Sequence, residues 1–282
     1  MRLESFTILA ALGSFAEGAL PAHAQSSARL EMRAASAATL FGAVLIFEDG
    51  FESEDTCLWS PGCAVVRINE VNGNIDSGCD LMELRVVAGG TMDGFRLRER
   101  DADSFTFTGL TVATNDLVVV HWNGNSATCN PNASPNETIS ITQHPAATFA
   151  ANYDTAYDWY TSDSGITSTD NVLTLYRSGG AIADAVFVAN DTSGSAATGT
   201  ETQAAAVAAA GEWEMVGGGI PPGGFVDDDF KLHSAQDLDA TGSDATSGST
   251  IQRTGDQETQ TLADWGMVTF SWGSINVGQA DF

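Results

Sequence analysis

Four histidines and a scatter of carboxylates are the side chains through which this chain could do chemistry. His23 lies near the N-terminus, and His121 stands beside Trp122 at the end of an apolar run. His144 precedes Pro145, and His233 sits in an acidic tail. None belongs to an H-E-x-x-H zinc motif, and no G-x-S-x-G nucleophile turn occurs. A Ser-His-Asp triad is an arrangement in space, and nothing in the spacing proposes one. Gly217-Gly218-Gly219 and Gly223-Gly224 flank Pro221-Pro222. A phosphate loop would need a lysine and a helix start there, so the segment reads as a turn. No catalytic residue and no organic cofactor is expected.

Oxygen ligands offer more. Asp237, Asp239, Thr241 and Asp244 form an Asp-x-Asp-x-Thr-Gly run, similar to the start of a calcium loop with oxygens at alternating positions. The twelfth position is Gly248, so the bidentate acid of such a loop is missing. Asp76, Asp80 and Glu83, and the run Asp227–Asp229, are weaker groupings of the same kind. Ca²⁺ is therefore the one metal the sequence suggests. Asn132, Asn136 and Asn190 open N-x-S/T sequons, which read here as surface turns.

The chain of 282 residues carries 37 acidic and 11 basic residues, a formal net charge of −26. Arg2, Arg29 and Arg33 offset Glu4, Glu17 and Glu31, so the imbalance lies beyond residue 33. Such a surface repels phosphate backbones and anionic lipid, which argues against nucleic-acid binding. The cysteines are Cys57, Cys63, Cys79 and Cys129, with no C-x-x-C pair. An even count without a zinc pattern fits disulfides in an oxidising compartment. Of the three pairings, Cys57–Cys63 with Cys79–Cys129 is favoured, because the first closes a short loop carrying Pro61 and Gly62.

Residues 1–47 read as an export segment. Arg2 precedes the apolar run Phe6–Ala16, and Ala22-His23-Ala24 gives a small-x-small cleavage site. A second version begins at Met32 and Arg33, with the uncharged stretch from Ala34 to Phe47 as its core. That stretch is too short for a membrane span, which needs about 20 residues. No stable span is expected. Residues 48–64 form an acidic linker with Phe51, Leu58 and Trp59 as apolar points. With the preceding Phe47, its start reads Phe-Glu-Asp-Gly-Phe-Glu-Ser and resembles a stretch that follows the signal in many exported bacterial proteins, with Glu54 where that stretch has Gly.

From residue 65 the pattern is β. Val65–Val71 alternates, placing Val66, Ile68 and Glu70 on one face and Arg67 and Asn69 on the other. Leu81–Val87, Phe95–Arg100, Phe105–Phe107, Leu117–Trp122, Thr138–Ile141, Val172–Tyr176 and Ala183–Val188 are further expected strands. Many short strands separated by Gly, Asn, Asp and Ser predict a sandwich or barrel. Ala-rich Thr202–Trp213 predicts a helix, and Asp227–Thr250 a long loop.

The order of motifs resembles the lamin-tail domain. Ile68-Asn69-Glu70-Val71 matches the family's opening I-N-E-V, and Glu83-Leu84 its E-L strand. Asp93-Gly94-Phe95-Arg96-Leu97 matches a D-x-x-G-W-x-L turn and strand, with Phe95 in place of Trp. Leu173–Tyr176, Gly179-Gly180 and Asp184-Ala185-Val186 match a hairpin. Ser249–Arg253 is similar to an S-x-x-R segment, and Trp265 stands where the family has D-W. The closing T-P-G-x-x-N is absent. The resemblance implies an all-β, immunoglobulin-like sandwich over 65–282 with long loops and no shared catalytic residues. Within it, Ile68 and Val71 should face the core, Gly94 should make a turn, and Asp184 should tie down its hairpin. Asn69 and Glu70 should cap a strand end or bind backbone.

These readings converge on a secreted or cell-surface structural or binding module, with a protein or glycan partner. The tyrosines and Trp159 between Tyr153 and Tyr160 would serve as its contact patch, or else as core. A Ca²⁺-stabilised adhesive protein and a secreted metal-dependent hydrolase are the alternatives.

Overall fold

The computed structural model describes residues 62–73, 75–137, 148–167, 171–188, 199–212, 249–259 and 264–282. The export segment 1–47, most of the linker and the strand expected at Thr138–Ile141 lie outside them. So does most of the tail expected as a loop from Asp227.

Two sheets form an all-β sandwich. The larger has the strand order β12-β11-β1-β2-β7-β8, and the smaller β10-β9-β4-β5. In the larger sheet β1 is Val65–Asn72, β2 Leu81–Ala88, β7 Leu117–His121, β8 Tyr157–Tyr160, β11 Ser249–Arg253 and β12 Trp265–Thr269. In the smaller, β4 is Arg96–Glu99, β5 Ala102–Thr106, β9 Asn171–Tyr176 and β10 Ile182–Val188. A short pair, β3 (Gly90–Thr91) with β6 (Thr111–Val112), closes one end. Neighbours are antiparallel except β7 and β8, which run parallel.

Val66, Ile68, Leu84, Val86, Val118 and Val120 from the larger sheet meet Leu97, Leu173, Leu175, Val186 and Val188 from the smaller. At that core Phe105 packs edge to face on Phe107 and Trp159, and Phe107 and Trp159 meet at a tilt, 5.0–5.8 Å between ring centroids. Trp159 is thus core and not a contact patch. Its indole N–H donates to the Glu137 carbonyl at 2.7 Å.

Parts of both outer faces are covered as well. Every residue of β7 is buried, which is why its sequence is a continuous apolar run and not an alternating one. Its Leu117 and Val119 pack beneath Phe149, Ala150, Ala156 and Trp272, together with the Cys79–Cys129 disulfide. Cys63 is also disulfide-bonded, and Cys57 lies outside the described residues. On the smaller sheet, helix α1 (Thr200–Ala209) lays Ala204 and Val207 on Val172, Tyr176, Ile182, Ala185 and Phe187. The helix stops at Ala209, four residues short of the predicted end at Trp213, and Gly211 beyond it takes a φ of +79°.

Two local features depart from simple alternation. β1 has a bulge between Ile68 and Glu70, so Ile68 pairs with Leu84 while Glu70 pairs with Glu83. One extra residue, Asn69, reverses the facing of everything after it. Glu70 therefore leaves the face of Val66 and Ile68, contrary to the alternation in the sequence, and Val71 takes its place in the core. Gly94 adopts a φ of +81°, and a Cβ there would lie 2.9 Å from Ser178 Cβ. The tight turn before β4 needs the missing side chain.

Candidate functional site

Two buried polar assemblies use the side chains that could do chemistry. The first ties the sheets together. β11 pairs with β1 only at Glu70 and Val71, which leaves the main chain of Ile68 without a neighbour on that side. Asp184 of β10 accepts the Ile68 N–H at 2.6 Å, and Arg253 of β11 donates from Nε to the Ile68 carbonyl at 3.1 Å. Asp184 and Arg253 also close on each other, with Nη2 at 3.0 and 2.9 Å from the two carboxylate oxygens. Asp184 thus binds across the sandwich, where the sequence placed it within its own hairpin. Trp265 lies under the guanidinium, 4.4 Å from Cζ to the ring centroid.

Glu258 sits 2.7 Å from Arg253 Nη1. Burial opposes the Arg253 charge, but Asp184 and Glu258 outweigh it and hold the pKa above the ordinary arginine value. Burial and then the Asp184 charge push Glu258 up to about 7, against the pull of Arg253 and Arg67. That ion pair is accordingly complete only above about pH 7.

The second assembly is a row across the outer face of the larger sheet. Gln252, Glu70, Glu83, Val119 and Asp158 stand in register on five successive strands. Glu70 accepts from Ser271 N at 3.1 and 3.2 Å, from Ser271 Oγ at 3.0 Å and from Thr250 Oγ1 at 2.7 Å. Glu83 accepts from Asn69 Nδ2 at 2.8 Å and Gly273 N at 2.7 Å. Asp158 accepts from Tyr153 N at 2.8 Å and lies 2.6 Å from His121 Nε2. Asp80, just before β2, accepts from Ile75 N and Ile166 N at 2.8 and 2.7 Å. Each carboxylate thus holds the backbone of a segment that crosses or flanks the sheet.

Removal from water raises the acids. Burial pushes Glu70 and Asp80 up to about 7, and the hydrogen bonds they accept offset only part of that. Burial and then the charge of Glu70 raise Glu83 well above the usual carboxylate range. Tyr153, over this row, is likewise raised by burial and then by the charge of Asp158.

His121 and Asp158 are the nearest approach to a catalytic pair. Both are buried, and the imidazole stacks on Tyr160 at 4.5 Å and on Tyr153 at 6.2 Å. Among the described residues nothing hydrogen-bonds His121 Nδ1, so no nucleophile hydroxyl completes a triad. The pair fixes β8 and the Tyr153 segment to β7.

Asp237, Asp239, Thr241, Asp244 and the run Asp227–Asp229 lie outside the described residues, as do His23, His144 and His233. Asp76, Asp80 and Glu83 are not brought together: Asp80 holds the Ile75 and Ile166 amides, while Glu83 joins the outer row. The described residues contain no group of three or more acids, histidines or cysteines suited to a metal ion. Asn132 is exposed in a turn, and the Asn136 side chain accepts from Tyr160 N at 2.8 Å. Ser271 and Gly273 hold the two glutamates of the outer row, and Asn276 accepts from Ser271 Oγ at 2.8 Å. No sequence motif marks them, because all three act through main-chain N–H or a side-chain amide in a turn.

A family model described as "protein second domain" matches residues 64–267. The chain belongs to that family. The family's description carries no activity. The matched span includes the whole inter-sheet tie, Ile68, Asp184, Arg253 and Trp265, and both glutamates of the outer row. It ends before Ser271 and Gly273, which bind them. No curated protein matches the chain.

Proposed function

We propose that the chain is an exported, non-enzymatic module of the cell surface, lamin-tail-like in its sandwich, that presents its loops to a protein or glycan partner. The observation that carries this reading is the use made of the reactive side chains. Glu70, Glu83, Asp80, Asp158 and His121 are buried and hold covering backbone, a structural role that leaves them closed to a substrate. The lamin-tail resemblance draws support from convergence: its I-N-E-V, D-x-V, S-x-x-R and D-W segments, distant in sequence, meet in the Asp184–Arg253 tie. Disulfides at Cys79, Cys129 and Cys63 suit an oxidising compartment. No helix among the described residues is long and apolar enough to cross a membrane.

The test has two parts. An epitope-tagged chain expressed in a bacterium should reach the culture medium or the outside of the envelope, and retention in the cytoplasm would overturn export. Purified full chain assayed on nitrophenyl esters and phosphoesters should give no turnover that depends on His121. Hydrolysis abolished by His121→Gln would instead establish an enzyme. The Ca²⁺ alternative rests on Asp237, Asp239, Thr241 and Asp244, and a melt with millimolar Ca²⁺ against chelator decides it.

A further inference from the structure

The outer face of the larger sheet carries a second charged row, along the strands from the carboxylates. Arg67 on β1 stands opposite Arg85 on β2. With Arg253 they line a cavity of about 10 Å³, room for one particle the size of water. Asp256 is the one acidic side chain in its wall. Arg67 and Arg253 are paired from behind that wall, both with Glu258 and Arg253 also with Asp184.

Arg85 decides what such a space would hold. It is 2% exposed. Its Nη1 donates to Asp256 at 2.7 Å and its Nη2 to the Ala280 carbonyl. Its Nε is buried and has no hydrogen-bond partner among the described residues. Asp256 meets Nη1 and not Nε, and its second oxygen accepts from Ala280 N at 2.9 Å. A buried cationic N–H left without an acceptor is costly, and proteins of known structure almost always provide one. Glu258 pairs with Arg67 and Arg253 from outside the cavity and leaves Arg85 aside. The Phe282 ring lies 4.3 Å from the Arg85 guanidinium and is itself half exposed, so the cavity wall reaches solvent and a small ligand can exchange.

We propose that this cavity binds one small monovalent anion, with chloride as the natural occupant, held by Arg85 Nε and the field of Arg67 and Arg253. The size of the space rules against phosphate, sulfate or a carboxylate side chain. The N–H without an acceptor, set among three guanidinium groups, favours a halide over water.

The first measurement is a pair of thermal melts of the full chain, in sodium chloride and in sodium gluconate at equal ionic strength. At about 0.5 M salt, chloride should raise Tm by about 3 °C over gluconate if the site is some tenfold above its Kd. Arg85→Lys keeps a cation but removes the Nε–H, and the difference between the two salts should vanish. If that variant does not fold, the unaltered protein still answers: crystals soaked in bromide should show an anomalous peak in contact with Arg85 Nε. Equal melting in the two salts, or a water at that position with no bromide signal, would overturn the proposal.

Discussion

At the scale of single residues, the main surprise is acids that resist ionising. Glu70 and Asp80 titrate near pH 7 in the fold but near ordinary carboxylate values in the unfolded chain. A raised acid contributes stability that is fully present below the unfolded pKa and is lost as pH rises through the folded one. The domain should therefore melt highest in mild acid and lose stability between about pH 4 and 7, by about 3 kcal/mol for Glu70 alone. Exposed Asp103, lowered by Arg98 and Arg96 against the opposing effect of burial, works in the other direction but at the surface. Glu70→Gln should remove most of the Glu70 share of the slope: less stable than the parent at pH 5, equal or better at pH 8. Melts at the two pH values check it, and a parent whose Tm climbs toward pH 8 would contradict the assignment. The resemblance led us to expect Glu70 to cap a strand end or bind backbone, and it binds Ser271 N, but the raised pKa was not legible in the sequence. Glu70 looked like an alternating strand residue, and only the extra residue Asn69 turns it beneath Ser271.

At the scale of elements, the sandwich depends on a tie between strands far apart in the chain. Asp184 and Arg253 are buried and bond both to each other and to the Ile68 main chain. Removing one partner of such a pair strands a charge, typically at a cost of about 3–5 kcal/mol. Asp184→Ala and Arg253→Leu should each lower the unfolding free energy, read from urea titration, by that order. The double variant should cost well under the sum of the two. Additive losses would mean that the residues act independently. The strands themselves were largely readable, because Leu81–Val87, Leu117–Trp122 and Val172–Tyr176 are dense in β-branched and apolar residues. β8 was not, since Tyr157-Asp158-Trp159-Tyr160 looked like an aromatic loop, and its parallel pairing with β7 comes after a long crossover. Spacing alone did not link Asp184 to Arg253; the resemblance to a family placed both in motifs without saying that they touch.

At the scale of the whole molecule, three apolar layers replace the single core that an alternating sandwich would have. One lies between the sheets, one under the disulfide-linked cover, and one under α1. The second layer reaches past the family match at residue 267. Trp272 packs in it, Ser271 and Gly273 bind the two glutamates, and Asn276 donates to the carbonyls of Asn69 and Arg253 at 2.9 and 3.2 Å. A chain ended after residue 267 should consequently fold poorly, although it contains the full family span. Expression of that truncation beside the full chain, with soluble yield and urea midpoint as readouts, checks this; equal stability would mean that the cover is dispensable.

The raised carboxylates have a further consequence for the charge of the molecule. A formal value of −26 counts every acid as ionised, yet near neutral pH Glu70, Asp80, Glu83 and Glu258 keep protons that the unfolded chain would release. Folding is therefore a proton-uptake reaction in that range. In weakly buffered solution it drives the pH upward, and the native protein migrates in an electric field as a less acidic body than its own sequence.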